Sequence, residues 1–431
     1  MQDLNPLAIE LNEQIRDVAP EVYALLSELG KRIYLPKGIL SQSAEANVKA
    51  NRFNATRAVA LKDNKIMHLD VSRQLVPELS PESIFGYAPI LGNTELRQVW
   101  KTHLQKENPL LTEATFNLPI VTSGMTHGFS LLADLFVSKG DTLILPDKIW
   151  GNYRLIFQTK ARADVQTYPF FNADKRFDII GFRKTLSKIS ADKLLILLNF
   201  PHNPTGYAVS RAEAQQIMDA IVACANTGRS IFVMVDDAYT GFWYDTEVMQ
   251  ESIFGMLVGC HPNVIPVKID GATKEEYAWG LRVGFLTFAL PDKTMQAIEA
   301  KLSGLIRSDT SGAAQLSQTL ILEAIKAQGY TEQKQRNYEI LKARALKVKQ
   351  VTTDARYANL WEVYPSHAGY FICLSLKSGN AEKVRQTLLN EHGIGTIALS
   401  KTELRVAYSC LEESEIENVF STIAQVIQSE K

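Results

Sequence analysis

Apolar residues recur along this chain with two different periods, and the change from one to the other marks out its parts. Over residues 8–30 they fall at helical spacing (Leu7, Leu11, Ile15, Val18, Val22, Leu25, Leu26, Leu29), which predicts one amphipathic helix ending at Gly30. Residues 31–75 read as irregular, with a loop from Leu35 to Ile39. From about 85 to 310 the texture changes to short β-rich apolar runs at 118–121, 142–145, 193–199, 231–235, 264–269 and 282–289. Helical patterns lie between them, notably 126–137 and 211–225, the latter opened by Ser210 as N-cap with Glu213 at the capping-box position. Such alternation predicts an α/β fold built on a largely parallel sheet. Past Gly312 a long helical stretch (about 313–351) leads to a strand near 369–376, a helix over 381–391, a strand around 403–408 and a last helix from Ser414. The organisation expected is an N-terminal segment over 1–75 that joins a second domain, a central domain over 76–310, and a small C-terminal α+β domain over 311–431.

Composition narrows the function classes. The 431 residues are 46% hydrophobic and 22% charged, ordinary values for a globular chain with a substantial core. A formal net charge of -1 argues against a nucleic-acid or anionic-membrane surface. No basic segment leading an apolar core is visible at the start, and the longest apolar run, near Leu194–Leu198, is too short to span a bilayer. Cys224, Cys260, Cys373 and Cys410 lack metal-like spacing and read as reduced thiols of a cytoplasmic protein. The seven histidines form no metal-spaced pair, so no metal is expected.

Chemistry-bearing residues follow the apolar runs, where an open α/β sheet places its ligands. Ser123-Gly-Met-Thr126 joins a strand to a helix; it is either a plain connection or, with Gly124, Met125 and Thr126 offering N–H groups at a helix start, a seat for an anion. Arg282 can grip a phosphate with two parallel hydrogen bonds. Asp236 ends the apolar run Ile231–Val235 and suits a protonated pyridine nitrogen, whereas its neighbour Asp237 reads as a cap or a surface turn acid. Tyr239 and Asn203 suit a phenolate oxygen, although the first also reads as core and the second as a turn residue. Trp150 offers a flat face for a ring. Lys274, between two apolar runs, is the amine for an imine with an aldehyde. Together they suit pyridoxal 5'-phosphate.

The order and spacing of Asn199-Phe-Pro-His-Asn-Pro-Thr-Gly206, Asp236-Asp-Ala-Tyr239 and Lys274 with Arg282 resemble the class I/II aminotransferases of the pyridoxal-phosphate fold type I, in particular the aspartate aminotransferase branch, over roughly residues 85–410. The resemblance implies a large domain with a mostly parallel seven-stranded sheet flanked by helices, and a small α+β domain built from both chain ends. It implies Lys274 as the catalytic lysine, with Asp236, Tyr239, Asn203, Arg282 and Trp150 around the cofactor. Tyr87, in Tyr87-Ala-Pro-Ile-Leu-Gly92, resembles a tyrosine that reaches the neighbouring subunit's cofactor phosphate, which implies a homodimer with composite sites. Arg405, in Glu403-Leu-Arg-Val-Ala-Tyr408, matches the arginine for the substrate α-carboxylate, and Arg307 the one donated across the dimer to a side-chain carboxylate. The chain departs from the pattern at Gly271, where relatives often have a phosphate-binding hydroxyl, and at Glu275 and Glu276 directly after the lysine. The activity implied is amino transfer from an L-amino acid to a 2-oxo acid such as 2-oxoglutarate, by a ping-pong mechanism. A β-lyase or decarboxylase on the same fold is the first rival. A non-catalytic cofactor-binding sensor is remote, since the segment before Tyr87 lacks a basic helix-turn-helix pattern.

Overall fold

The computed structural model describes residues 4–36 and 38–430. Its centre is a seven-stranded sheet made, in chain order, of β1 (Ile120–Thr122), β2 (Thr142–Pro146), β3 (Asp164–Tyr168), β4 (Lys193–Asn199), β5 (Ser230–Asp236), β6 (Val264–Asp270) and β7 (Gly284–Phe288). Their order across the sheet is β1-β7-β6-β5-β4-β2-β3. Every pairing is parallel except the two made by β7, which runs against β1 and β6. Strands β4 and β5 are buried at every position but the first, as expected of central parallel strands covered on both faces. All six predicted runs become strands within a residue or two. The last, at 282–289, starts at Gly284, after Arg282 in a left-handed conformation (φ 54°). Strand β3 has no counterpart in the expectation: its sequence Asp-Val-Gln-Thr-Tyr is polar because it is an edge strand, largely open to solvent.

Register decides what comes together. Asn199 pairs with Asp236, and Asp236 with Ile269, so three neighbouring parallel strands end level, at Asn199, Asp236 and Asp270. Helix Arg211–Ala225 begins at Ser210 with the capping box in place. Helix Met125–Phe136 starts from Gly124, whose φ of 81° suits glycine.

The second sheet is antiparallel, in the order Trp361–Val363, Phe371–Leu376, Glu403–Ala407, Ile397–Ala398, and is backed by helices Ala381–His392 and Ile416–Ser429. The N-terminal part joins it: Phe53–Asn54 pairs with Ile394–Gly395, and Ala407 N–H donates to the Ala55 carbonyl at 2.8 Å. Two predicted helices are broken. The one over 8–30 divides into Pro6–Val18, Pro20–Leu25 and Glu28–Arg32: Pro20 has no N–H to continue the first ladder, Leu26 turns extended and Ser27 caps the third helix, and much of the apolar face (Val18, Val22, Leu25) stays exposed. The one over 313–351 divides at Gly329 (φ 87°) into Gln315–Lys326 and Tyr330–Thr352. The region 31–75 is more regular than expected, with helices Ile39–Lys49 and Asp70–Leu75; within the loop predicted at 35–39, Lys37 lies outside the described residues.

Candidate active site

At the carboxyl ends of β4, β5 and β6 lies a cavity of about 260 Å³. Of the residues singled out in the sequence, Met125, Thr126, Trp150, Asn203, Asp236, Tyr239, Lys274 and Arg282 line it.

Asp236 is buried and accepts the Ala238 N–H on Oδ1 at 3.0 Å and the Tyr153 hydroxyl on Oδ2. Burial pushes its carboxyl up to about 6, against the pull of the Tyr153 and Ala238 donors and the charge of Lys274. Asn199 ties the strand ends: its amide donates to the Asp236 carbonyl at 2.9 Å while its oxygen accepts the Asn203 N–H at 2.8 Å. Lys274 sits on the short helix Ala272–Glu275, its Nζ 5.1 Å from the Tyr239 ring centroid. Burial lowers the amine to about 8, with Asp236 opposing and Arg282 assisting the shift. Near neutral pH a useful fraction of it is therefore the neutral nucleophile. The Tyr239 phenol is held well above its usual range by burial and stays a hydrogen-bond donor.

Part of the wall is cationic. A Cβ placed on Gly124 would stand 2.5 Å from the Arg282 guanidinium, and one on Gly284 would stand 2.6 Å from the Met125 nitrogen. Glycines at both points let the helix start, β7 and the guanidinium close around one small volume. Free N–H groups at a helix N-terminus beside a guanidinium make an anion seat. The fit to a phosphate-bearing pyridine is good: cationic wall, carboxylate, two side chains with donors (Asn203 and Tyr239), an indole face and an amine surround one cavity.

Arg405 lies within reach of that cavity through Asn203, to whose oxygen its Nη1 donates at 3.3 Å. Its Nη2 donates to the Thr56 carbonyl at 2.9 Å and its guanidinium stands 4.3 Å over Phe371. Among the described residues none of these partners is a carboxylate, and buried Nε has no partner. Burial brings this guanidinium down to about 10. Such a cation suits an incoming carboxylate. Tyr87, 98% exposed, and Arg307, exposed in the last turn of helix Asp292–Asp309, stand outside the cavity of this single chain.

Asp237 is not a surface acid. It is buried, paired with the buried Lys268, and accepts the Ser252 hydroxyl at 2.5 Å. The cavity also takes in Ala58, Phe129, Tyr153, Asn199 and Thr273, none of them singled out beforehand for a role. Tyr153 stands three residues after Trp150, near enough for the sequence to have offered it; Ala58 carries no signal at all. The two histidines near the motifs have structural work. His202 bonds Thr205 Oγ1 (2.8 Å) and the Lys148 carbonyl (3.0 Å) and is lowered to about 3 by burial, and His127 Nδ1 accepts the Ser123 N–H at 3.1 Å.

Three comparisons bear on this site. The family described as "Aminotransferase class I and II" matches residues 55–423. Among curated proteins, the cytoplasmic aspartate aminotransferase of Saccharomyces cerevisiae is 23% identical over 303 residues, 66% of this chain and 69% of that one. A probable N-acetyl-LL-diaminopimelate aminotransferase of Bacillus subtilis is 25% identical over 244 residues, 57% of this chain and 56% of that one. Among solved structures, an aminotransferase from Anaerococcus prevotii superposes with a TM-score of 0.83 at 23% identity, covering 94% of this chain and all of that one, which shows the shared fold.

Proposed function

The chain belongs to the class I and II aminotransferases, and from that premise we propose that it moves the amino group of an L-amino acid onto 2-oxoglutarate, the first product leaving before the acceptor binds. It is a pyridoxal-phosphate-dependent aminotransferase. When bound, the cofactor supplies an electron sink for the pair left at the substrate Cα.

This chain's residues provide the rest. Gly124, Met125 and Thr126 at the helix start and the Arg282 guanidinium hold the phosphate. Asp236, ionised with help from the Tyr153 hydroxyl, would pair with the ring nitrogen, while Asn203 and Tyr239 would donate to the ring oxygen and Trp150 would cover its face. Lys274 would hold the cofactor's aldehyde carbon through Nζ, and its amine, when free, would take the proton from the substrate Cα and return it on the cofactor side. Arg405 holds the α-carboxylate, its Nη1 steered by Asn203. A second copy completes the site in a cytoplasmic homodimer: Tyr87 of one chain reaches the other's phosphate, and Arg307 meets a side-chain carboxylate. That last contact favours dicarboxylic partners such as aspartate, the amino acid in the yeast relative's name.

The observation that carries the reading is Lys274: an amine lowered to about 8, in one cavity with a buried carboxylate and a cationic wall. Borohydride treatment of the enzyme with cofactor should leave an adduct on Lys274, seen by peptide mass spectrometry. Addition of amino acids from a panel should change the cofactor absorbance, and 2-oxoglutarate should restore it. K274A should lose the adduct and about 10²–10⁴-fold or more of its turnover. An adduct on another lysine, or a spectrum no amino acid changes, refutes the assignment.

A further inference from the structure

Directly behind Lys274 lies a buried cluster of charge that the reaction does not use. Glu275 and Glu276, which follow the lysine, are both buried. Glu275 meets His103 Nε2 at 2.5 Å and Lys334 Nζ at 3.0 Å; Glu276 meets the same Nζ at 2.9 Å and the Tyr330 hydroxyl at 2.8 Å. His103 belongs to helix Thr94–Glu107, and Tyr330 and Lys334 to the long helix Tyr330–Thr352, whose far end (Val348, Val351) enters the core of the small sheet. With His103 protonated, two cations face two anions, and the Glu275 carboxylate is held well below its usual range by Lys334 and His103 despite burial. His103, Glu275 and Glu276 have their ligand atoms within 4.8 Å of one another, the grouping of a cation site, but the Lys334 ammonium fills that role.

What the cluster grips is the segment between β6 and β7. That segment carries both Lys274 and Arg282, and two of its non-glycine residues, Tyr277 (φ 53°) and Arg282 (φ 54°), are left-handed. Such backbone persists where its surroundings over-determine it. Gly271, at the other end, has no space for a side chain: a Cβ would lie 2.6 Å from the Val283 carbonyl oxygen. The segment is thus wedged by steric contact at its start and tied by charge in its middle.

We propose that Lys334, with His103, is a positioning residue that fixes the spacing between the Lys274 amine and the Arg282 guanidinium, so that one cofactor is held at its aldehyde and its phosphate at once. This rests on the assignment of Lys274 and Arg282 given above. Two attachments on one ligand reinforce each other only while their spacing matches it. The cluster acts on geometry: the charges felt by Lys274 are those of Asp236 and Arg282.

The test compares two ligands, pyridoxal 5'-phosphate and pyridoxal, by dissociation constants from absorbance titration of apoprotein. Their ratio measures how far phosphate and aldehyde grips cooperate. K334M removes the tie, and E275Q/E276Q/K334M removes it without leaving unmatched buried carboxylates, so that a folded variant is in hand if the single one fails. Both should shrink the ratio by about ten-fold or more, whereas a role in stability alone lowers the two affinities together and keeps the ratio within about two-fold. K334R, which keeps a cation near both carboxylates, should recover part of the ratio. An unchanged ratio in the folded triple variant overturns the proposal. Wild-type protein that forms no borohydride-stable adduct overturns the site assignment beneath it, a separate and recognisable failure.

Discussion

Burial drives Asp236 and Lys274 in opposite directions, the acid up to about 6 and the amine down to about 8, so each sits nearer neutral pH than in water. The sign of the consequence follows for Asp236. In the folded chain it keeps its proton up to about pH 6, against about 4 in an unfolded one. Between those values folding takes up a proton, and stability falls as pH rises. Above pH 6 the apoprotein carries a buried carboxylate that the fold alone does not favour, a cost held for function. D236N should therefore raise the melting temperature of the apoprotein at pH 7, by the equivalent of about 2–3 kcal/mol, and change it little at pH 4. Calorimetry at the two pH values checks this; an equal effect at both would mean that packing, rather than ionisation, sets the difference. The same variant should bind cofactor weakly, since it lacks the anion for the ring nitrogen.

Strands and helices set the site through close approach rather than through contacts made by large side chains. The ends of β4, β5 and β6 are level because their ladders are in register, and β7 runs back so that the segment before it passes beside the helix start at Gly124. Gly271 and Gly284 are where backbones meet. Gly271 is extended, so the cost of a side chain there is collision with Val283 and Gly284 and not backbone strain. G271S, which supplies the hydroxyl that the family resemblance leads one to expect at this point, should destabilise the protein by about 1–3 kcal/mol and weaken cofactor binding. Chemical denaturation and cofactor titration check it. A stable variant with tighter phosphate binding would show that β7 can move aside.

At the scale of the whole molecule, segments far apart in sequence meet: the Thr56 carbonyl holds Arg405, and Ala58 lines the active-site cavity. Helix Tyr330–Thr352 runs between the two sheets, tied to Glu275 and Glu276 at one end and packed in the small core at the other. Tyr87 is 98% exposed and Phe85 83%, a surface suited to the second copy proposed above. If sites are composite, a mixed dimer of K274A with Y87A chains contains one site with both residues intact. Co-expressed and purified as the hybrid, it should recover about half the activity of the wild-type dimer, while each parent dimer stays impaired. Recovery no better than the mean of the parents would place Tyr87 outside the neighbouring site.

Much of this is legible in the sequence alone. The strands, the capped helix Arg211–Ala225, and Asn203, Asp236, Tyr239, Lys274 and Arg282 stand in the sequence because they depend on local features: a run of apolar residues, the turn that ends it, and the polar group placed at that turn. The polar edge strand β3 and the breaks at Pro20 and Gly329 were harder to see, since a periodicity carried past them by chance looks the same as one carried by a helix. Only the tertiary structure decided that Tyr153 donates to Asp236, that Asp237 is buried against Lys268, that Thr56 meets Arg405, and that the ammonium of Lys334 lies between two consecutive glutamates. Periodicity reports which face of an element is turned from water; the partner a buried charge finds, and hence its proton affinity, is settled only when distant segments close over it.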